Sequence, residues 1–406
     1  MDNKAIIQSM VDDDQYKITM ANCVFLNYPE VSAKYMFKCR TKCNLGFLKE
    51  EVQAQVNMMP DLRIECDEVT FLRSFGWLDD RYIDYLKDYR YDASEVTVSI
   101  DFDGQLSIII HGSWLRTILW EVKLLAIVNE LYFRYQIEDD EEFTKGGSRC
   151  LEDSFCDGHL ILTDAISLLK EHPMLKVAEF GTRRRLSRDW QKKVLGRLLN
   201  EARTNIVGTS NVRLAMDFGV KPIGTMAHEF LSAHLALCRR LELAQRTALY
   251  TWLSTYKDKL GIALSDTFGS KAFFNDFDIV LARAFDGVRH DSGDPIRFGQ
   301  NMIAFYQKFG IDPRTKTIVF SDSLTVNDAV GIWKQFAGAI GVSFGIGTSL
   351  TNNVGLDPLN IVIKMIECDG KPVCKLSDNV DKAIGGTSDI IRQTMEAYRA
   401  YGVELV

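Results

Sequence analysis

The sequence predicts an α/β protein in which an irregular α/β barrel carries the functional site and an α+β N-terminal module is completed by a C-terminal hairpin. Three observations predict it. From about residue 155, short apolar runs alternate with helical patterns, and nearly every run ends in a polar, glycine-rich cluster. A barrel gathers its βα-loops on one face in this way. The first 140 residues instead mix helix patterns with alternating, hairpin-like strand patterns. After the barrel series ends, residues 360–376 form another hairpin pattern around Asp369-Gly370. Residues 1–140 and 358–406 are therefore read as one discontinuous module and residues 141–357 as the barrel. The polar loop 139–147 is the seam. An open doubly wound sheet is the alternative, but it concentrates ligand contacts at one switch point, whereas here the strand ends are loaded throughout.

The elements follow in order. Residues 11–27 begin with acids and continue as a helix with Tyr16 near its start, and residues 33–40 alternate as a half-buried strand. Residues 45–57 and 79–89 read as helices, 96–110 as a hairpin around Asp103-Gly104, and 113–135 as one long apolar helix. The barrel runs are 176–180, 205–207, 221–227, 261–264, 278–282, 317–320 and 341–344, with a long helical pattern over 229–256 and a closing helix over 388–400.

Composition excludes several classes. The chain has 406 residues, 46% of them hydrophobic, enough for a large core. A net charge of -7 argues against general nucleic-acid binding. No apolar run reaches membrane-spanning length, and Asp12, Asp13 and Asp14 stand where a secretory signal needs a basic and then an apolar segment, so a cytoplasmic protein is expected. Nine cysteines without a CxxC pair fit reduced thiols, and neither the Cys39/Cys43 nor the Cys150/Cys156 spacing is a recognised metal clip.

The densest chemistry lies in residues 285–295, which pack Arg289, Asp291, Ser292, Gly293 and Asp294 behind the apolar run 278–282, read as a strand. Such a cluster suits a polyphosphate and its metal. Arg289 offers a fork to phosphate oxygens, Asp291 and Asp294 can hold a hydrated divalent cation or sugar hydroxyls, and Gly293 admits close backbone approach. A turn capping a helix that begins near Pro295 is the structural alternative. His228 follows a strand and opens a helix, where free backbone N–H groups favour a neutral imidazole and an anion beside it. It can serve as general base, metal ligand or phosphoryl acceptor, with Glu229 or Asp266 fixing its tautomer. Phe344-Gly345-Ile346-Gly347-Thr348 is a turn able to cradle phosphate, with Ser321 beside it. Phe180, Arg183, Thr209 and Ser210 lie at two strand ends and suit a flat aromatic acid, ring stacked and carboxylate paired, with Tyr16 as a second face.

Six stretches resemble the nicotinate phosphoribosyltransferase family in that family's order. They are Tyr16-Lys17-Ile18-Thr19-Met20, Glu179-Phe180-Gly181-Thr182-Arg183-Arg184, Gly208-Thr209-Ser210-Asn211-Val212, Gly224-Thr225-Met226-Ala227-His228-Glu229, Arg289-His290-Asp291-Ser292-Gly293-Asp294 and Phe344-Gly345-Ile346-Gly347-Thr348. The resemblance implies the first step of NAD salvage from nicotinate: nicotinate and 5-phosphoribosyl 1-diphosphate give nicotinate mononucleotide and diphosphate, coupled to ATP hydrolysis. It further implies Mg²⁺, a transient phosphohistidine at His228, and a homodimer. Arg289, Asp291 and Asp294 would handle diphosphate, ribose and Mg²⁺, and Gly345, Gly347 and Thr348 the 5-phosphate. Phe180, Arg183 and Ser210 would hold nicotinate, with Tyr16 closing the pocket, in related enzymes from the neighbouring subunit. Related nicotinamide-using enzymes carry Asp at the Ser210 position, so Ser210 is expected to favour the acid. A metal-dependent hydrolase built on His228, Asp266 and Asp291, and a sensor barrel without turnover, are the readings from other classes.

Overall fold

The computed structural model describes residues 4–138, 151–378 and 384–405, so the expected seam at 139–147 lies outside the described residues. Strand β1 (Ser32–Cys39) turns Ala33, Tyr35 and Phe37 into the core. Strands β2 (Val96–Ile100) and β3 (Leu106–Ser113) form the hairpin expected around Asp103-Gly104, and β3 pairs antiparallel with β1. Asp101 Oδ1 accepts from the backbone N–H groups of Asp103 and Gln105, and Gly104 supplies the left-handed residue at φ 76° that the turn needs.

Two helix readings change at their ends. The first helix is Gln15–Asn27, not 11–27, because residues 11–14 are drawn out against the barrel: Val212 N–H donates to the Asp13 carbonyl, Arg213 N–H to that of Val11, and Gln15 N–H to that of Ser210. The long helix expected over 113–135 is broken into Trp114–Thr117 and Trp120–Glu138. Tyr89 and Tyr91 hydroxyls donate to the Arg116 and Leu119 carbonyls, satisfying backbone groups that a continuous helix would have used.

The barrel strands are β4 (Val177–Glu179), β5 (Ile206–Thr209), β6 (Ile262–Leu264), β7 (Gly287–His290), β8 (Thr317–Phe320) and β9 (Gly341–Ile346), all parallel, in the order β5-β4-β9-β8-β7-β6. Beyond β5, Pro222 bridges Thr209 in parallel, and across the remaining seam the Thr225 hydroxyl donates to the Ile262 carbonyl of β6 at 2.8 Å. Regular ladder pairing lapses there, since Pro222 has no N–H and Gly224 takes φ 142°. On the face covered by helices, Phe320 stacks on Phe344 and on Phe336 of the helix Val326–Phe336, at centroid separations of 5.8 and 5.9 Å.

The run at 278–282 is not a strand. It starts the helix Ile279–Ala284, whose first N–H groups are accepted by Asp278, and the strand is β7. Gly287 is required in β7, because a Cβ there would lie 1.9 Å from the Thr317 carbonyl oxygen. The pattern over 229–256 likewise divides into helices His228–Leu237 and Ala244–Tyr256, folded back so that Trp252 meets Phe230 edge-on.

After the barrel, β10 (Ile361–Cys368) pairs antiparallel with β1, from Ala33↔Cys368 to Cys39↔Ile361, and turns through Asp369 and Gly370, both at positive φ, into β11 (Lys371–Pro372). The resulting sheet runs β11-β10-β1-β3-β2, so the C-terminal hairpin completes the N-terminal module. Strand β12 (Cys374–Lys375) pairs with β13 (Ile384–Gly385), and the helix Ser388–Ala400 follows. This return path lays Lys364 and Lys375 against the barrel mouth. No helix among the described residues is long and apolar enough to cross a membrane.

Candidate active site

A cavity of about 550 Å³ opens where the C-terminal ends of β4, β7, β8 and β9 face β10. It brings together Tyr16, Phe180, Arg183, His228, Arg289, Asp291, Ser321, Gly345, Gly347 and Thr348, residues drawn from along almost the whole chain. Phe180 N–H donates to the Ile346 carbonyl, which fastens the end of β4 to β9. A Cβ at Gly347 would stand 2.7 Å from the Phe180 carbonyl oxygen, so Gly347 allows the close approach that forms this wall, whereas one at Gly345 would make ordinary contact with the Phe180 ring at 3.4 Å.

At one end of the cavity, Arg289 Nε donates to Ser321 Oγ at 2.8 Å and its Nη2 to Asp291 Oδ1 at 2.9 Å, while Ser321 Oγ also donates to Asp291 Oδ1 at 2.6 Å. Burial would raise the Asp291 carboxyl, but Arg289 outweighs it and holds the group ionised. His228 begins the helix His228–Leu237, with Nε2 2.8 Å from Asp266 Oδ1 and 3.6 Å from Asp291 Oδ2. Asp266 Oδ2 accepts from Lys375 Nζ at 2.9 Å and from Ser292 Oγ at 2.7 Å. Burial opposes ionisation of Asp266, and its partners His228 and Lys375 overcome that. Burial and the nearby Lys375 ammonium together push His228 down to about 4, against the pull of Asp266, so the imidazole is neutral at physiological pH. Nε2 faces both the Asp266 carboxylate, which would accept from an Nε2–H, and the Lys375 ammonium at 2.8 Å, which would donate to an unprotonated Nε2.

Tyr16, Phe180, Arg183 and Asp14 also line the wall. The Tyr16 hydroxyl lies near the Asp14 carboxylate without a well-formed hydrogen bond. Burial raises the Asp14 carboxyl, the Ser210 hydrogen bond and Arg183 opposing it. Tyr16 and Phe180 of this one chain line the same cavity.

Two family models match the chain: the nicotinate phosphoribosyltransferase (NAPRTase) family over residues 175–401, and the NAPRTase N-terminal domain over residues 11–129. The chain belongs to the nicotinate phosphoribosyltransferase family. It is 42% identical over 383 residues to the nicotinate phosphoribosyltransferase of Xanthomonas euvesicatoria pv. vesicatoria, covering 93% of this chain and 94% of that one. With the enzyme of Photorhabdus laumondii it shares 40% over 407 residues, 98% and 97% of the two chains. Among solved structures it superposes on the nicotinate phosphoribosyltransferases of Vibrio cholerae (TM-score 0.89, 36% identity, 99% of this chain and 95% of that one) and Porphyromonas gingivalis (0.88, 34%, 98% and 100%).

Four residues expected in the family's site are placed otherwise. Asp266 stands behind His228 and touches it, outside the cavity wall. Thr209 is buried with its hydroxyl donated to Glu179, and Ser210 is buried with its hydroxyl donated to Asp14 Oδ1 at 2.6 Å. Asp294 is exposed and caps the helix Pro295–Lys308, its Oδ1 accepting from Ile296 and Arg297 N–H groups, so the helix-cap alternative describes it. Gly293 is likewise outside the wall, with φ 87° serving the turn. Glu229 does not orient His228. Its Oε1 accepts from Tyr35 and Trp114, and its Oε2 meets Lys17, which also pairs with Glu121.

Sequence reasoning missed Asp14, Arg40, Glu121, Lys364 and Lys375, all on the cavity wall. The lysines sit on the hairpin tail, where nothing local distinguishes them from solvated strand residues. Asp12, Asp13 and Asp14 read as the acidic start of the 11–27 helix, yet all three are buried: Asp12 holds Arg185 through two hydrogen bonds of 2.7 and 2.8 Å, Asp13 holds Lys123, and Asp14 holds Ser210. Three acids beside an apolar helix, with no basic residue between them, were the available signal.

Proposed function

We propose that the chain makes nicotinate mononucleotide and diphosphate from nicotinate and 5-phosphoribosyl 1-diphosphate, with ATP hydrolysed through a transient phosphohistidine at His228. It would do so in the cytoplasm, as the first step of NAD salvage. The observation that carries this reading is one cavity with an aromatic, guanidinium-lined end and a carboxylate–arginine–histidine end. Phosphoribosyl transfer passes through a cationic ribose, so the protein must hold the leaving diphosphate and align the ring nitrogen behind the anomeric carbon. Arg289 would grip the diphosphate, and the glycine turn with Thr348 the 5-phosphate. Phe180 and Tyr16 would sandwich the pyridine ring, and Arg183 would pair its carboxylate. No general base is required, because the pyridine nitrogen has no proton to lose.

ATP would transfer its terminal phosphoryl group to the unprotonated ring nitrogen of neutral His228, releasing ADP. Hydrolysis of that N–P bond would return the imidazole and free phosphate. Phosphohistidine adds charge near Asp291 and Arg289, so it would tighten and then release the diphosphate complex.

The donor set suits Mg²⁺ at Asp291 alone of the two expected carboxylates. Its Oδ2 is not engaged by Arg289 or Ser321, and a single carboxylate with water and phosphate oxygens is how Mg²⁺ is usually held. The ion would neutralise diphosphate charge there. Against a hydrolase using His228, Asp266 and Asp291 as metal ligands, whose ligand atoms lie within 4.8 Å of one another, Lys375 Nζ already lies 2.8 Å from His228 Nε2 and 2.9 Å from Asp266 Oδ2. A homodimer is retained from the family resemblance.

Incubation with labelled nicotinate, 5-phosphoribosyl 1-diphosphate and Mg²⁺, with and without ATP and beside nicotinamide, tests the proposal. Product from nicotinate, raised by ATP, is expected. Product from neither ring would sink the reading. With γ-labelled ATP, label should appear on wild type and be absent from His228→Asn.

A further inference from the structure

Cys39 and Cys43 lie outside the catalytic cavity, at the end of β1 and in the following turn, with their sulfurs 3.9 Å apart. The two thiols line a second hollow of about 510 Å³ between this turn and the β2–β3 hairpin, and both are half-buried. The turn is already compact: Cys43 N–H donates to the Thr41 carbonyl at 2.9 Å, and Cys39 Sγ donates to the same oxygen at 3.4 Å. Among the described cysteines, this is the pair of sulfurs that approach each other.

The turn is also tied to the cavity. Arg40, between the two cysteines, lines the active-site wall, and its N–H donates to the Asn360 carbonyl at 2.8 Å. Asn360 N–H in turn donates to Thr41 Oγ1, and Asn360 Oδ1 accepts from Arg184, another wall residue. A shift of residues 39–43 therefore moves a cavity cation and loads the contacts that hold its neighbour.

We propose that Cys39 and Cys43 are a redox-sensitive dithiol whose closure to a disulfide repositions Arg40 and lowers turnover. A disulfide holds its sulfurs about 2.0 Å apart, so closure draws the two sulfurs together by roughly 1.9 Å, strains the turn that carries them and abolishes the S–H donor to Thr41. The oxidant is a low-molecular-weight disulfide. The Cys39 thiolate attacks it to form a mixed disulfide and expel one thiolate. Cys43 then loses its proton, attacks Cys39 Sγ and expels the second. The protein gives up two electrons and two protons, and the small disulfide becomes two thiols. Burial and its neighbour Cys39 push the Cys43 thiol up to about 11, which disfavours it as the first attacker and leaves it to react once Cys39 holds the mixed disulfide 3.9 Å away.

The test incubates the full chain with oxidised glutathione, maps disulfides by non-reducing peptide mass spectrometry, and follows nicotinate mononucleotide formation before and after dithiothreitol. A Cys39–Cys43 bridge is expected, with activity reduced at least threefold, restored by reductant, and insensitive to oxidant in Cys39→Ser, which lacks the attacking thiol. A persistent mixed disulfide, no bridge, or a bridge without loss of activity would each overturn the proposal. The activity arm rests on the function proposed above, whereas the mass measurement does not. A bridged protein in a preparation lacking nicotinate activity would indict that function and leave the dithiol standing.

Discussion

His228 shows how a single side chain acquires a function from its surroundings. Burial and Lys375 hold it neutral, with its pKa at about 4, so label transfer from ATP should be level from pH 6 to 8 and fall only as pH approaches 4, where the ring protonates and its lone pair is lost. Single-turnover labelling across that range checks it. Asp266→Asn removes the carboxylate that contacts Nε2 and should slow His228 phosphorylation by about 10²-fold, with Lys375 left beside a neutral amide. Asp291 and Asp294, similar in sequence, part company here. Asp291→Asn should raise the KM for 5-phosphoribosyl 1-diphosphate and cut turnover sharply. Asp294→Ala should leave kcat nearly intact and cost about 1 kcal/mol of stability, the usual value of a helix cap, read by urea unfolding.

At the scale of elements, the buried ion pairs fasten one element to another. Lys17, on the helix Gln15–Asn27, joins Glu121 of Trp120–Glu138 to Glu229 of His228–Leu237, and these carboxylates raise its pKa despite the opposing effect of burial. Lys17→Met would strand two buried carboxylates and should destabilise the protein by about 3–5 kcal/mol, measured by chemical denaturation. His234, on the same helix as His228, bonds the Phe230 carbonyl through Nδ1 and Tyr28 through Nε2, and burial pushes its pKa down to about 4. Its folded pKa lies below the unfolded value of about 6.5, so between those values the unfolded chain binds the extra proton and stability falls as pH falls. Asp13 and Asp276, raised to about 6 mainly by burial, act in the opposite direction over part of that window, so the net slope of the wild type alone is uninformative. The difference is informative: His234→Asn should remove about 1.4 kcal/mol per pH unit of that slope between pH 4.5 and 6.

For the whole molecule, the decisive fact is that one chain supplies both Tyr16 and Phe180 to one cavity. Mixing inactive Tyr16→Ala and Phe180→Ala variants should therefore restore no activity, whatever the oligomeric state. Recovery of about a quarter of wild-type activity, as random pairing of shared sites gives, would assign Tyr16 to a neighbour. The tail matters as much as the barrel, since β10 pairs with the length of β1 and carries Lys364 to the cavity wall. Burial and repulsion from Lys375 push that lysine down to about 7, so the charge on the wall itself responds to pH.

The sequence by itself determined what is local. Apolar runs ending in glycine and hydroxyl clusters marked the barrel strands, the Asp103-Gly104 and Asp369-Gly370 turns marked the hairpins, and the six family stretches named Phe180, Arg183, His228, Arg289 and Asp291 before any contact was known. It erred where a neighbour far along the chain settled the outcome. The run at 278–282 is apolar enough for a strand, yet Asp278 caps it as a helix and β7 begins at Gly287, where the Thr317 carbonyl leaves no room for a side chain. Ser210 and Asp294 carry the right chemical groups, but Asp14 and the first turn of a helix engage them. Lys375 was invisible because its role comes from Asp266 and His228, 109 and 147 positions away. Periodicity and turn chemistry act over a few residues, whereas burial, ion pairing and the direction of a carboxylate are set only when the chain has closed.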